Sequence, residues 1–546
     1  MAATTSSRGG PAVDARSVVV PTLRLPTCYD PDQFTRVAPW RSMVNWDVHV
    51  QLYDQLLRYP TVDVDGRPVQ DVTRFGPMLA QGFDVSGDGR RYRVALRPGV
   101  TSEHGHELTA DDVVWSWAAL QEPAGAPRPP EVNWLTTGVH GEVGRWVAFM
   151  GSAYEAIPGS GAPAVRALDR YSVEFALPEP NAAFPHILTM TVPPIYDSTE
   201  ASRHATPEDP YARDWLAGNP GGFGRYAVES RAEDELVLHA RADHYAGMPA
   251  IERVLYRVLP EGRDRVDALV AGEIDVVFQP SPAEAERVAG HPDLALFRAP
   301  GNSQLSLQMD PRVAPFDDVH VRRALAAAVP YREIVDDVLR GFGRPWRGVV
   351  PETSLGYLEL WPGEQDLERA REELRASGRD RVRATLHHGT GDPVHAEVAQ
   401  RVAREAGTVG IDLDVRPMAG GELSDLQKEY RMPLAVAGGG HRCNEMGYAV
   451  PHDFGDRYFG ITNWIDYQNP RVNELILEIR RTGDAGRRRA LIHETQRIVA
   501  EDQPWAFIAQ PDFLVAHRRG LQGFAWRSRS GNRLAYYDLR WESASG

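Results

Sequence analysis

Apolar and polar positions alternate through Tyr92-Arg93-Val94-Ala95-Leu96, as a half-buried strand requires. Gly87-Asp88-Gly89 before it is turn chemistry, and Pro98-Gly99 after it closes the strand. Thr109 then stands where a helix cap belongs, ahead of Ala110-Asp111-Asp112, whose carboxylates suit the positive end of a helix dipole. Upstream, Ser17-Val18-Val19-Val20 with Leu23-Arg24-Leu25 predicts a first strand. Asp47 to Leu57, with Val48, Leu52 and Leu56 at helical spacing, predicts a helix. Asp317 or Asp318 caps a further helix whose apolar face is Val321, Leu325 and Ala328, and a long amphipathic helix is expected around Arg487 to Glu501.

At 546 residues the chain is too long for one ordinary domain and can bury a large core. Lys and Arg number 60 against 75 Asp and Glu, a net charge of −15 that argues against a nucleic-acid partner. No 18-residue apolar run occurs, so no membrane span is expected. Cys28 and Cys443 are far apart, and two separate thiols are the expectation, although a fold that joined them would allow a disulfide. Residues 1–17 read as a flexible polar leader without the apolar core of a secretory signal. Two locations stay open: outside the cytoplasm if a secretion segment has been removed, and the cytoplasm otherwise.

The stretch Gly76 to Trp117 closely resembles the family 5 extracellular solute-binding proteins of ABC importers, the peptide- and nickel-binding receptors of cluster C type. Four further blocks extend the resemblance in the family's order. Asp169 to Leu177, followed by Glu179-Pro180-Asn181, is similar to the strand before the lobe crossover. Gly218-Asn219-Pro220 with Gly222-Phe223-Gly224-Arg225-Tyr226 looks like the family's glycine-rich turn. Asp243-His244-Tyr245 and Ala271-Gly272-Glu273-Ile274-Asp275 match the strand and helix-to-strand turn that follow, and Phe316 to Leu325 is the fourth block. Asn463-Trp464 and Tyr467-Gln468-Asn469-Pro470 complete the pattern, with Trp464 and Tyr467 expected to pack in a core.

The resemblance implies an α/β fold of the periplasmic-binding-protein type: two lobes, two crossover hinges and an extra domain inserted in the first lobe. By position the first lobe takes 18–56, 196–298 and 506–546, the inserted domain 57–195, and the second lobe 299–505. It implies a small-molecule or peptide-like ligand in the cleft, an ABC permease as partner, a monomer, and no cofactor. The runner-up is an intracellular solute-binding scaffold repurposed as an enzyme or as a carrier for a biosynthetic intermediate. No GxSxG elbow, Walker loop or HExxH helix occurs, so the chain leans away from catalysis.

In peptide-binding relatives a loop of the second lobe carries an aspartate that holds the ligand's ammonium. Here that position falls on Gly447, in a loop longer than usual, with Glu445 as a possible substitute. The arginine that some relatives place just before the loop is replaced by Val436-Ala437-Gly438. The loop still offers His441, Arg442, Cys443, Glu445 and Tyr448 as ligand contacts. In the enzyme reading His441 or Glu445 is the acid or base, Arg442 stabilises negative charge, and Cys443 is a possible nucleophile. Position in the resemblance adds Arg41, Met43, Trp46, Asn133, Trp134, Asn302, Gln304 and Gln510 as cleft residues. No metal site is expected: His387-His388 would point to opposite faces of a strand, His441 with Cys443 makes only two ligands, and His104 and His106 sit in a turn.

Overall fold

The computed structural model describes residues 16–22, 47–64, 66–121, 164–177, 179–190, 194–259, 263–419, 422–423, 426, 432–440, 445, 450, 453–455, 463–527 and 534–542. Four sheets of three or more strands organise these segments. In the first, Ser17–Thr22 runs parallel to Arg253–Val258, which continues antiparallel to Glu235–Ala240 and Tyr226–Arg231. Its edge strand buries every second residue, Val18, Val20 and Thr22, so the valine run is used on one face.

The second sheet orders Ala80–Val85, Arg91–Leu96, Ser172–Ala176 and Val165–Asp169, all antiparallel. Arg91–Leu96 alternates exposed and buried as its sequence requires, sending Tyr92, Val94 and Leu96 into a core with Phe175 and Trp117. The preceding turn is closed by Gly89 N–H donating to Ser86 O at 2.8 Å, with Gly89 at φ +68°. Helix Ala110–Gln121 follows, and the carboxylate that completes its start is Asp112, which accepts from Thr109 N–H (2.8 Å) and from the Thr109 hydroxyl (3.1 Å).

The third sheet has six strands in the order Gly343–Pro345, Trp505–Pro511, Ser303–Met309, Leu434–Gly440, Val382–Gly389, Ile411–Met418. Val382–Gly389 and Ile411–Met418 are parallel and joined by helix Pro393–Thr408, the helical crossover that a parallel pair needs. Helix Val319–Ala328 is capped by Asp318, whose Oδ1 accepts from His320 N–H at 2.8 Å, and buries Val321, Leu325 and Ala328. Tyr467 is buried with Phe454 and Trp505, whereas Trp464 is only half-buried. The fourth sheet places Phe513–Arg518 between Val276–Phe278 and Leu294–Ala299.

Two elements differ from the expectation. The helix expected over Asp47 to Leu57 ends at Leu52, and Leu57–Arg58 is a short strand. The cause is competition for carbonyls: Leu52 O accepts from Gly224 N–H at 2.9 Å, and Gln55 O and Leu56 O accept from Leu79 and Ala80. A Cβ on Gly224 would lie 2.3 Å from the Leu52 carbonyl carbon and one on Gly222 2.1 Å from its oxygen, which is why both positions of the turn are glycine. In the block Asp169 to Leu177 the strand is confined to Ser172–Ala176, because Asp169 Oδ1 accepts from Tyr171 N–H (2.9 Å) and turns the chain at Arg170-Tyr171 out of the preceding strand Val165–Asp169. Leu23-Arg24-Leu25 and both cysteines lie outside the described residues.

Candidate functional site

The chain passes twice between the three-stranded and six-stranded sheets, and the two passages run side by side. One leads from Leu294–Ala299 through Pro300-Gly301-Asn302 into Ser303–Met309, the other from Trp505–Pro511 through Asp512 into Phe513–Arg518. Ala299 pairs with Phe513 on one side and Leu305 with Ala509 on the other. Asp512 braces them: its carboxylate accepts from Arg298 Nε at 2.6 Å and from Arg344 Nη1 at 3.3 Å. Arg344 also binds Glu352 at 2.6 Å, and Arg298 donates to Gly341 O at 2.6 Å.

Three of the expected cleft residues stand at these passages. Asn302 and Gln304 are buried at the first, and both have polar partners. Gln510, only 1 % exposed, lies at the second, where its Oε1 accepts from Glu352 N–H at 3.3 Å. Its Nε2 has no hydrogen-bond partner among the described residues. A buried amide donor in that state is poised for a ligand or a water.

Across the second lobe's loop, Glu445 is described and buried, and its carboxylate pairs with Arg488 of helix Ala485–Asp502. Arg488 also donates from Nε to Ile479 O at 3.2 Å. This pair faces the residues around His186, whose Nδ1 shares a 2.7 Å hydrogen bond with the Tyr59 hydroxyl. Burial pushes His186 down to about 4, with Glu445 opposing and Arg488 adding to the shift. Burial likewise pushes the Tyr92 hydroxyl up to about 12. The same two regions touch where Ala182 N–H donates to Arg480 O at 2.9 Å and Arg481 pairs with Glu179 at 2.9 Å.

The missing arginine before the loop has a physical counterpart. A Cβ on Gly438 would sit 2.7 Å from His395 Nε2, so the imidazole fills the space a larger side chain would need. Burial lowers the pKa of His395 from its usual value and keeps the ring neutral there.

Arg41, Met43, Trp46, Asn133, Trp134, His441, Arg442, Cys443, Tyr448 and Gly447 lie outside the described residues. Nothing among the described residues supports an acid–base site, since Glu445 is occupied by Arg488. No group of three or more His, Cys, Asp or Glu residues there is arranged to hold a metal ion. His106 Nδ1 instead meets Asp197 at 2.8 Å, and His388 Nδ1 meets Gly389 O at 3.1 Å. No described helix is long and apolar enough to cross a membrane. Sequence reasoning missed Arg298, Arg344, Glu352, Asp512 and Arg488; single charged residues in unrelated segments carry no local signal of convergence.

Comparisons with known proteins agree with this architecture. The family described as "Bacterial extracellular solute-binding proteins, family 5 Middle" matches residues 74–457. The chain is 27% identical to di/tripeptide-binding protein 4 of Pseudomonas aeruginosa, over 96% of this chain and 95% of that protein. It is 24% identical to the dipeptide-binding protein of Escherichia coli, over 94% and 92%. Among solved structures it resembles the ABC transporter-associated periplasmic binding protein DppA from Helicobacter pylori in complex with peptide STSA. There the TM-score is 0.77 at 22% identity, covering 96% of this chain and 98% of that one.

Proposed function

We propose that this chain, which belongs to the bacterial extracellular solute-binding proteins of family 5, holds a small polar or peptide-like ligand between its two lobes for delivery to an ABC transporter. In this reading 18–56, 196–298 and 506–546 form the first lobe, 57–195 the inserted domain and 299–505 the second lobe, and the protein works outside the cytoplasm. The paired passages at Pro300-Gly301-Asn302 and Asp512 are the hinges, and closure brings the second lobe against the first around the ligand.

The observation that carries the reading is the Gln510 amide, buried at the second hinge with an unused donor. It offers a hydrogen bond to a ligand carbonyl or carboxylate, and Asn302 and Gln304 supply neutral polar surface at the neighbouring hinge. Neutral groups of this kind suit a peptide-like compound better than a free metal ion. The names of the relatives support the same class, since two of them bind di- or tripeptides.

Free peptide termini are recognised differently here, because the position of the ammonium anchor is Gly447 and the nearby Glu445 is paired with Arg488. A thermal-shift series tests both parts. Peptide-like compounds with blocked termini are expected to stabilise the protein, and unmodified tri- to pentapeptides to leave it unchanged. Gln510→Leu is expected to weaken the stabilising compound about 10-fold, the worth of one buried hydrogen bond. Several degrees of stabilisation by ordinary peptides refutes the account of the termini, and undiminished binding to Gln510→Leu refutes the placement of the site.

A further inference from the structure

A cavity of about 520 Å³ lies between residues 55–61, 68–78 and 189 on one side and residues 523–527 and 537–540 on the other. Among the described residues, none of 299–505 lines it. Its size lies in the usual range for small-molecule sites. Among the described residues, three arginines line it, Arg58, Arg527 and Arg540, against one carboxylate, Asp538.

The charges are not balanced within the wall. Asp538 pairs with Arg527, whose side chain is 9 % exposed and lies 5.9 Å from the Tyr537 ring centre. Arg540 reaches only the neutral Gln522 amide, at 3.5 Å. Arg58 is exposed and has no ion pair among the described residues. Behind the wall Arg225 sits 4.3 Å from the same Tyr537 ring, and its buried Nε has no hydrogen-bond partner among the described residues. Another cavity, about 560 Å³ at the hinges, shows the contrast: Arg298 and Arg344 there meet Asp512 and Glu352. In a chain of net charge −15, an uncompensated arginine cluster in a concave wall is a local reversal of sign.

We propose that this cavity is a second binding site, for a small multiply charged anion such as a polycarboxylate or a phosphate compound. Arg58 and Arg540 supply guanidinium groups without an ion pair among the described residues, and such groups bind carboxylate or phosphate oxygens in pairs. Gln55, Gln70 and Thr189 add polar surface, and Tyr59, Phe524 and Tyr537 an apolar wall for the body of the ligand. The site stands on its own geometry and does not depend on what the interlobe cleft holds.

Calorimetric titration of the full chain with citrate and, separately, with pyrophosphate tests it at low ionic strength, where exposed charges are least screened. Saturable binding of either anion is expected, and the one that binds tells carboxylate from phosphate. Arg58→Gln and Arg540→Gln, both on exposed positions, are each expected to weaken it at least ~10-fold with circular dichroism unchanged. Absence of binding to both anions, or binding that survives both substitutions, overturns the proposal.

Discussion

The Glu445–Arg488 pair decides whether the second lobe's loop presents a carboxylate for chemistry or uses it to hold itself in place. Glu445 is 1 % exposed and the Arg488 side chain 15 %, so the pair is largely out of water. Replacing one member of a buried pair leaves the other poorly compensated and costs about 3–5 kcal/mol. Arg488 keeps some water and its Ile479 contact, which places Glu445→Gln near the lower end, about 3 kcal/mol. Arg488→Met leaves the more deeply buried carboxylate and is expected to cost more. The double variant Glu445→Gln with Arg488→Met removes both charges and should return to within about 1 kcal/mol of the parent. Urea unfolding of the four proteins at neutral pH measures the coupling, expected at about 5 kcal/mol, the two single losses less the small loss of the double variant. Two single variants that each cost under about 1 kcal/mol, and simply add, would refute the pairing and return Glu445 to the ligand or to acid–base work.

Other outcomes follow from the same geometry. Gly224→Ala drives a methyl group into the Leu52 backbone, so it should yield far less folded protein than Gly87→Ala, whose Cβ meets nothing within 4 Å; equal yields would contradict the close packing of that turn. His186 titrates near 4 in the folded chain against an ordinary value of 6.5, so the unfolded chain binds the extra proton between those values. Stability is therefore complete above pH 6.5 and falls by up to about 3 kcal/mol as the pH drops towards 4, a fall that His186→Gln should lessen by that amount in unfolding titrations. Asp512→Ala removes the ion pair of Arg298 and leaves Arg344 with Glu352 alone, and both arginines are partly exposed, so the loss should be only about 1–2 kcal/mol. The same variant should shift the solution scattering of the ligand-free protein, and an unchanged profile would deny Asp512 a role in bracing the hinges.

Elements with a local cause were legible in the sequence. Arg91–Leu96 alternates because each side chain has its own reason to face in or out, and Asp318 caps its helix from one residue away. The helix over Asp47 to Leu57 misled because its end is set by Gly224 and by Leu79-Ala80, partners far along the chain. The candidate site divides in the same way. Asn302, Gln304 and Gln510 were named by family position, and all three are buried at the two passages. The ionic brace around Asp512 draws on residues 298, 344, 352 and 512, whose meeting is decided by the whole fold. Periodicity cannot reach such a site, since its spacing in sequence follows no helix or strand repeat.

The most direct test of the central claim is native mass spectrometry of the full chain purified from its natural source under gentle conditions. The account predicts a retained small molecule that is released with its mass unchanged after incubation, as a carrier of solute requires. Release of the same compound with a new mass would contradict it and make the protein an enzyme.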